Sequence, residues 1–116
     1  MKKLIIMMLL MLFSINNYSQ IKKTSINEAV GYKSFNASWY CLSGKTASGS
    51  RVQNGVIAVD PKVIKLGTQV HILGFGNFIA KDTGGAIKGN RIDIWTPSCS
   101  NALKLGRKKV QLKVIK

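Results

Sequence analysis

Beyond about residue 35, apolar residues in this chain come only in short runs, each closed off by Gly, Asn, Ser or Pro. Such punctuation leaves little room for long helices and is the rhythm of a small β-barrel or sandwich. Strands are predicted at Ala37 to Tyr40, Gly55 to Val59, Gln69 to Leu73, Asn77 to Lys81, Arg91 to Ile94 and Val110 to Ile115. Gly74-Phe75-Gly76-Asn77 reads as a hairpin loop between two of them. One helix is predicted, Ser98 to Leu105, because Ser98 or Ser100 offers a cap before Ala102-Leu103 and Gly106 follows Leu105.

The start of the chain has a different character. Lys2 and Lys3 precede an uninterrupted apolar run from Leu4 to Phe13. This is the pattern of a secretory signal, and the run is too short for a membrane span, which needs about 20 apolar residues. Cleavage is expected after Ser19, leaving residues 20–35 as a polar linker or arm and residues 36–116 as a single domain near the lower size limit for a self-sufficient core. No stable membrane span is expected in the mature protein, which is read as exported to the periplasm, the cell envelope or the medium.

Export bears on the two cysteines, Cys41 and Cys99. In an oxidising compartment they either form a bridge or stay as separate buried thiols. A bridge would close a long loop, worth roughly 4 kcal/mol in the chain-entropy model. The formal net charge of +14 favours polyanions. Basic residues are scattered, however, and an exported protein rarely meets DNA or RNA, so anionic cell-envelope polymers are the expected partners and nucleic acid is not. The other reading of the charge is a solvated surface that serves solubility.

Familiar catalytic patterns are missing. Gly74-Phe75-Gly76 has neither the spacing nor the following helix of a dinucleotide site. His71 is the only histidine and lies in a predicted strand, where a structural role is the default. Without a second histidine or a Gly-x-Ser-x-Gly motif, a serine or cysteine hydrolase has little support.

The acidic residues are informative because they are rare: Glu28, Asp60, Asp82 and Asp93 against 18 Lys plus Arg. Three lie in the most distinctive local sequences, Ala58-Val59-Asp60-Pro61, Ala80-Lys81-Asp82-Thr83-Gly84-Gly85 and Arg91-Ile92-Asp93-Ile94-Trp95. The span from Asp82-Thr83-Gly84-Gly85 through Lys88 to Arg91-Ile92-Asp93-Ile94-Trp95 resembles the signature of the 3D domain, a bacterial cell-wall family named for three aspartates. Gly55-Val56-Ile57-Ala58-Val59-Asp60-Pro61 supplies the first aspartate, and Leu66-Gly67-Thr68-Gln69-Val70 is similar to the family's turn into its next strand, with Lys65 where proline is common. Ala37-Ser38-Trp39-Tyr40 and Thr46-Ala47-Ser48-Gly49 resemble the opening of the related rare lipoprotein A and expansin-like barrels.

This resemblance implies a mainly β fold, a six-stranded double-psi β-barrel with one short helix. It also implies peptidoglycan glycan strands as partner and, in several members, lytic transglycosylase activity. The residues themselves call for no cofactor or metal, the alternative being a weak site in which the three carboxylates hold a hard cation. Related enzymes set the barrel against a second domain with glycan between them. The groove here is therefore expected to be shallow, or completed by the 20–35 arm or by another copy. Asp60, Asp82 and Asp93 match the three aspartates one by one and are the catalytic candidates. Thr46, Gly84, Gly85, Lys88 and Trp95 are the sugar-binding candidates.

Glycosidic cleavage needs a proton on the leaving oxygen. A lytic transglycosylase then closes a 1,6-anhydro ring with the sugar's own C6 hydroxyl, so one carboxylate can serve as acid and then as base. Strand alternation puts Arg91, Asp93 and Trp95 on one face, and the match puts the principal acid at Asp93. Arg91 should depress its pKa, contrary to what an acid needs, unless nearby carboxylates oppose it. Asp82 and Asp60 have turn-organising alternatives, Thr46 that of a loop hydroxyl, and Trp39 and Trp95 that of rim or core residues. Two other functions remain open: a non-catalytic glycan-binding or wall-loosening module, and a basic structural envelope protein.

Overall fold

The computed structural model describes residues 30–116; the expected signal segment and the arm up to residue 29 lie outside it. Six strands and, among the described residues, one helix follow in the order β1 (Lys33–Tyr40), β2 (Val56–Val59), β3 (Gln69–Ile72), β4 (Gly76–Asp82), β5 (Arg91–Trp95), α1 (Cys99–Leu105) and β6 (Lys108–Val114). All six strands overlap their predicted spans. The largest difference is β1, which begins at Lys33 within the expected arm. Its burial alternates at Phe35 and Ala37, but a lone Phe between Lys33, Ser34 and Asn36 is too sparse a signal to read as a strand.

The strands close a barrel in the order β1-β5-β2-β4-β3-β6. Two contacts are parallel, β1 with β5 and β2 with β4, while the remaining four are antiparallel. This is the six-stranded double-psi barrel that the resemblance implied. Inward positions fill the barrel with Phe35, Ala37, Ile57, Val59, Ile64, Val70, Ile72, Ala80, Ile92, Ile94, Val110 and Leu112. Burying each aliphatic side chain contributes roughly 1.5–3 kcal/mol. β-branched residues dominate because they fit a pleated, enclosed surface.

The connections follow local chemistry. The β3–β4 hairpin turns through Leu73, Gly74 and Phe75, with the Phe75 N–H donating to Ile72 O at 2.9 Å and Gly74 at φ 85°. Phe75 packs on Trp39 across the barrel rim, ring centres 5.7 Å apart. Ser98 caps α1 by accepting from the Asn101 N–H at 3.2 Å. Gly106, at φ 60°, ends the helix and turns the chain into β6. Helix α1 buries no residue and is too short to be stable alone. Its anchor is a disulfide, since Cys99 is bonded to Cys41 at the end of β1 with Cα atoms 5.1 Å apart. His71 faces Tyr32, whose hydroxyl lies 2.8 Å from Nδ1, a structural setting.

Candidate active site

Parallel pairing of β1 with β5 sets Asn36 beside Arg91, Ser38 beside Asp93 and Tyr40 beside Trp95. Their neighbours Ala37, Ile92 and Ile94 point into the core, so alternation turns these six residues outward. On the other flank of β5, Ala58 of β2 stands opposite Asp93, and beyond it Asp82 of β4 stands opposite Ala58. One outward row, Ser38, Asp93, Ala58 and Asp82, thus crosses four strands. The two aspartates are separated by two strand spacings, roughly 10 Å between Cα atoms, and the methyl group of Ala58 forms the floor between them.

A β-bulge makes this row. Ile57 pairs with the inward Ala80, so regular alternation would put Lys81 opposite Ala58 and send Asp82 toward the core. The register shifts between Ile57 and Ala58, Lys81 is skipped, and Asp82 is re-aimed outward, as bulges beside functional sites do. The loop after β1 folds over this point. Ser48 N–H donates to the Lys81 carbonyl at 3.1 Å, and Ala47 N–H donates to Asp82 Oδ1 at 2.9 Å.

The two carboxylates differ in their surroundings. Asp82 Oδ1 also accepts from the Thr83 N–H at 2.9 Å, and Oδ2 accepts from the Tyr40 hydroxyl at 3.1 Å. Both of its oxygens are engaged. Asp93 accepts from the Ser38 hydroxyl on Oδ1 at 2.9 Å, and its Oδ2 has no partner among the described residues. Since no buried side-chain oxygen there is left unsatisfied, Oδ2 is accessible to solvent, and Asp93 lines a cavity. Burial pushes the Asp93 pKa up, and the negative charge of Asp82 adds to that. The Ser38 hydrogen bond and the Arg91 charge pull the other way without prevailing. Tyr40 is held firmly as a phenol by burial, then by the charge of and hydrogen bond to Asp82, and by Asp93.

A cavity of about 320 Å³ lies over the row, lined by Tyr40, Ala58, Asp82, Thr83, Gly84 and Asp93 among others. A second, of about 430 Å³, shares Ser43, Lys45 and Val52 with it and carries Trp95 on its wall. The indole Nε1 of Trp95 donates to Leu42 O at 2.9 Å, which fixes the ring at this second opening.

The structure therefore brings together Asp93, Asp82 and Gly84, with Trp95 adjoining. Asp60 is elsewhere, outside the lining of both cavities. Its oxygens accept from the Lys62 N–H at 3.0 Å and the Gly89 N–H at 2.9 Å. Those donors, Gly89 first, lower its pKa, with Lys88 and Lys62 assisting; Asp60 ties the turn after β2 to the loop before β5. Lys88 is an exposed neighbour of this tie, and Gly85 is exposed. Thr46 is buried, its hydroxyl 2.9 Å from Ser48 Oγ and 3.1 Å from Ser50 Oγ. Sequence reasoning did not nominate Ser38, Tyr40, Ala58 or the Ala47 N–H. Ser38 and Tyr40 do occupy the polar phase of β1, but only the β1–β5 register reveals what they face.

A family model, the 3D domain, matches residues 55–116. Among curated proteins, the cell wall-binding protein YocH of Bacillus subtilis (strain 168) is 50% identical over 78 residues, covering 64% of this chain and 27% of YocH. YabE of the same strain, named as a candidate cell wall shaping protein, is 47% identical over 90 residues, covering 74% of this chain and 22% of YabE. The chain thus spans only about a quarter of these relatives' length. Among solved structures, MltA from E. coli superposes with a TM-score of 0.55 at 24% identity, over 63% of this chain and 27% of MltA. A Streptomyces papain inhibitor superposes with a TM-score of 0.55 at 15% identity, over 73% of this chain and 94% of the inhibitor. Both likenesses establish the fold.

Proposed function

Because this chain belongs to the 3D domain family, with a cell wall-binding protein among its relatives, we propose that it acts outside the cytoplasm on peptidoglycan. On this reading it cleaves the glycan strand as a lytic transglycosylase. The observation that carries the reading is Asp93, half-buried, with a raised pKa and lining a cavity together with Tyr40, Ala58 and Asp82. A carboxyl group in that setting keeps its proton to higher pH than a surface aspartate, as an acid catalyst requires.

In the proposed reaction Asp93 donates its proton to the glycosidic oxygen, and the bond from that oxygen to the anomeric carbon breaks. The muramyl C6 hydroxyl oxygen bonds to that carbon, and its proton passes to the Asp93 carboxylate, so the acid is restored and a 1,6-anhydro sugar is released without consuming water. Asp82, held by three hydrogen bonds, is a positioning residue. Its negative charge favours the positive charge developing at the anomeric carbon and fixes the Tyr40 phenol. Trp95 offers an aromatic rim for a sugar ring.

Product analysis on purified peptidoglycan tests this. Asp93→Asn should fold and should lose release of 1,6-anhydromuropeptides by about 10²–10⁴-fold, while unchanged yield would remove Asp93 from the chemistry. A second reading, a non-catalytic wall-binding or wall-loosening module, is favoured by the name of YocH. It predicts no anhydro product from the wild type and, because the acids then shape a binding groove, wall binding that falls with Asp93→Asn.

A further inference from the structure

A separate cleft of about 350 Å³ adjoins the aspartate row and is lined by Asn36, Ala37, Ser38, Arg91, Arg107, Lys108 and Lys109. Its lining holds four cations and no carboxylate. Strand register explains the concentration of charge. Asn36 pairs with Arg91 on one side and Lys109 on the other, giving one outward row, and Gly106 turns the chain so that Arg107 precedes β6 at the same edge. The Arg91 guanidinium is anchored by donating from Nη1 to Ala86 O at 3.3 Å, which leaves the rest of its fork for a ligand. This row is two residues along β1 and β5 from Ser38 and Asp93, roughly 7 Å. Ser38 joins the two, since it lines the cleft and its hydroxyl donates to Asp93.

An anion seated in this cleft would lie about one outward row from a sugar placed at Asp93. We propose that the cleft is a carboxylate-binding subsite for the peptide carried by the muramyl residue that is cleaved at Asp93. The proposal rests on the glycan reading of the aspartate site and adds a preference to it: the chain selects peptide-bearing glycan over bare glycan. The chemistry fits. The peptide branches from the sugar ring on its lactyl group, ends in carboxylates, and needs to extend only about the distance between adjacent outward rows. Two arginines supply bidentate donors for planar carboxylates, and Lys108 and Lys109 supply charge.

Binding separates this idea from catalysis. Affinities of the full chain are measured by calorimetry for a glucosaminyl-muramyl disaccharide with its peptide and for the same disaccharide with its lactyl carboxyl group amidated; neither contains the muramyl–glucosaminyl bond that the proposed reaction breaks. The peptide should strengthen binding by roughly tenfold, the size expected of a few partly exposed ion pairs acting together, and the advantage should shrink as salt is raised. Adding Arg107→Gln and Lys109→Gln, both exposed residues, should bring the ratio to about one, with the melting temperature showing that the barrel is intact. Equal affinity for the two ligands overturns the proposal, as does a ratio that persists in the Arg107→Gln, Lys109→Gln protein. Tight, Arg107-dependent binding of poly(glycerol phosphate) with no peptide preference also overturns it, in favour of a phosphodiester polymer. None of these outcomes depends on whether anhydro product is formed, so the proposal and the transglycosylase reading fail separately.

Discussion

Asp93 couples stability to pH in the opposite sense from a carboxylate whose pKa folding lowers, such as Asp60. Its folded-state pKa is raised, so the native protein holds this proton more tightly than the unfolded chain. The resulting stabilisation is complete below the unfolded value, about 3.9, and is lost as pH rises through the folded value. At neutral pH the ionised side chain is a cost. Asp93→Asn should therefore melt at or above the wild-type temperature near pH 7, with the two converging near pH 3; thermal scans at both pH values check this. Ser38 pulls the pKa down through its hydrogen bond. Ser38→Ala should raise it further and move the alkaline limb of the pH–rate profile to higher pH, a shift that mere loosening of β1 would not produce.

The elements that shape the site are the β4 bulge and the two loops that close on it. Gly84 lies in the turn between Asp82 and the buried Ile87, and a Cβ there would come within 2.9 Å of Ile87 Cγ1. Ile87 is only 5% exposed, and the contact is to its branch close to the backbone rather than to a flexible tip. Gly84→Ala should destabilise the domain by about 1–3 kcal/mol, the usual range for overpacking. Because Gly84 and Ile87 both line the Asp82–Asp93 cavity, glycan affinity should fall as well. Urea unfolding measures the first effect and a wall-binding assay the second. Asp60 does corresponding work beyond the cavity, holding the far end of this loop through Gly89.

For the molecule as a whole, a small barrel gains from the Cys41–Cys99 bond, whose ends are 58 residues apart in sequence. It joins β1, which carries Ser38 and Tyr40, to α1, which leads into the basic start of β6. Replacing both cysteines with serine should cost about 2–4 kcal/mol. For a domain of this size that is a fall in melting temperature on the order of 10 °C or more, measurable by calorimetry without reductant. Four basic residues, Arg91, Arg107, Lys108 and Lys109, are gathered by the fold where β6, β1 and β5 run side by side, at the cleft beside Asp93.

What the sequence determined by itself was local. Short apolar runs with turn residues between them specify six strands, Ser98 and Gly106 delimit the helix, and the outward phase of Arg91, Asp93 and Trp95 follows from alternation along one strand. The resemblance carried the barrel and the three aspartates, because a motif of that length encodes a particular chain path. Tertiary structure decided which aspartates share one outward row. Asp82 joins Asp93 through a bulge at Lys81, a feature of pairing between β2 and β4 that no pattern within β4 displays. Asp60 is diverted to two backbone donors, although its local sequence is as distinctive as theirs. Ser38, Tyr40 and the Arg107–Lys109 cleft enter the site only through the β1–β5 and β1–β6 registers. Register is a relation between segments far apart in the chain, and it is settled by closing the barrel around its core rather than by the propensities of any one segment.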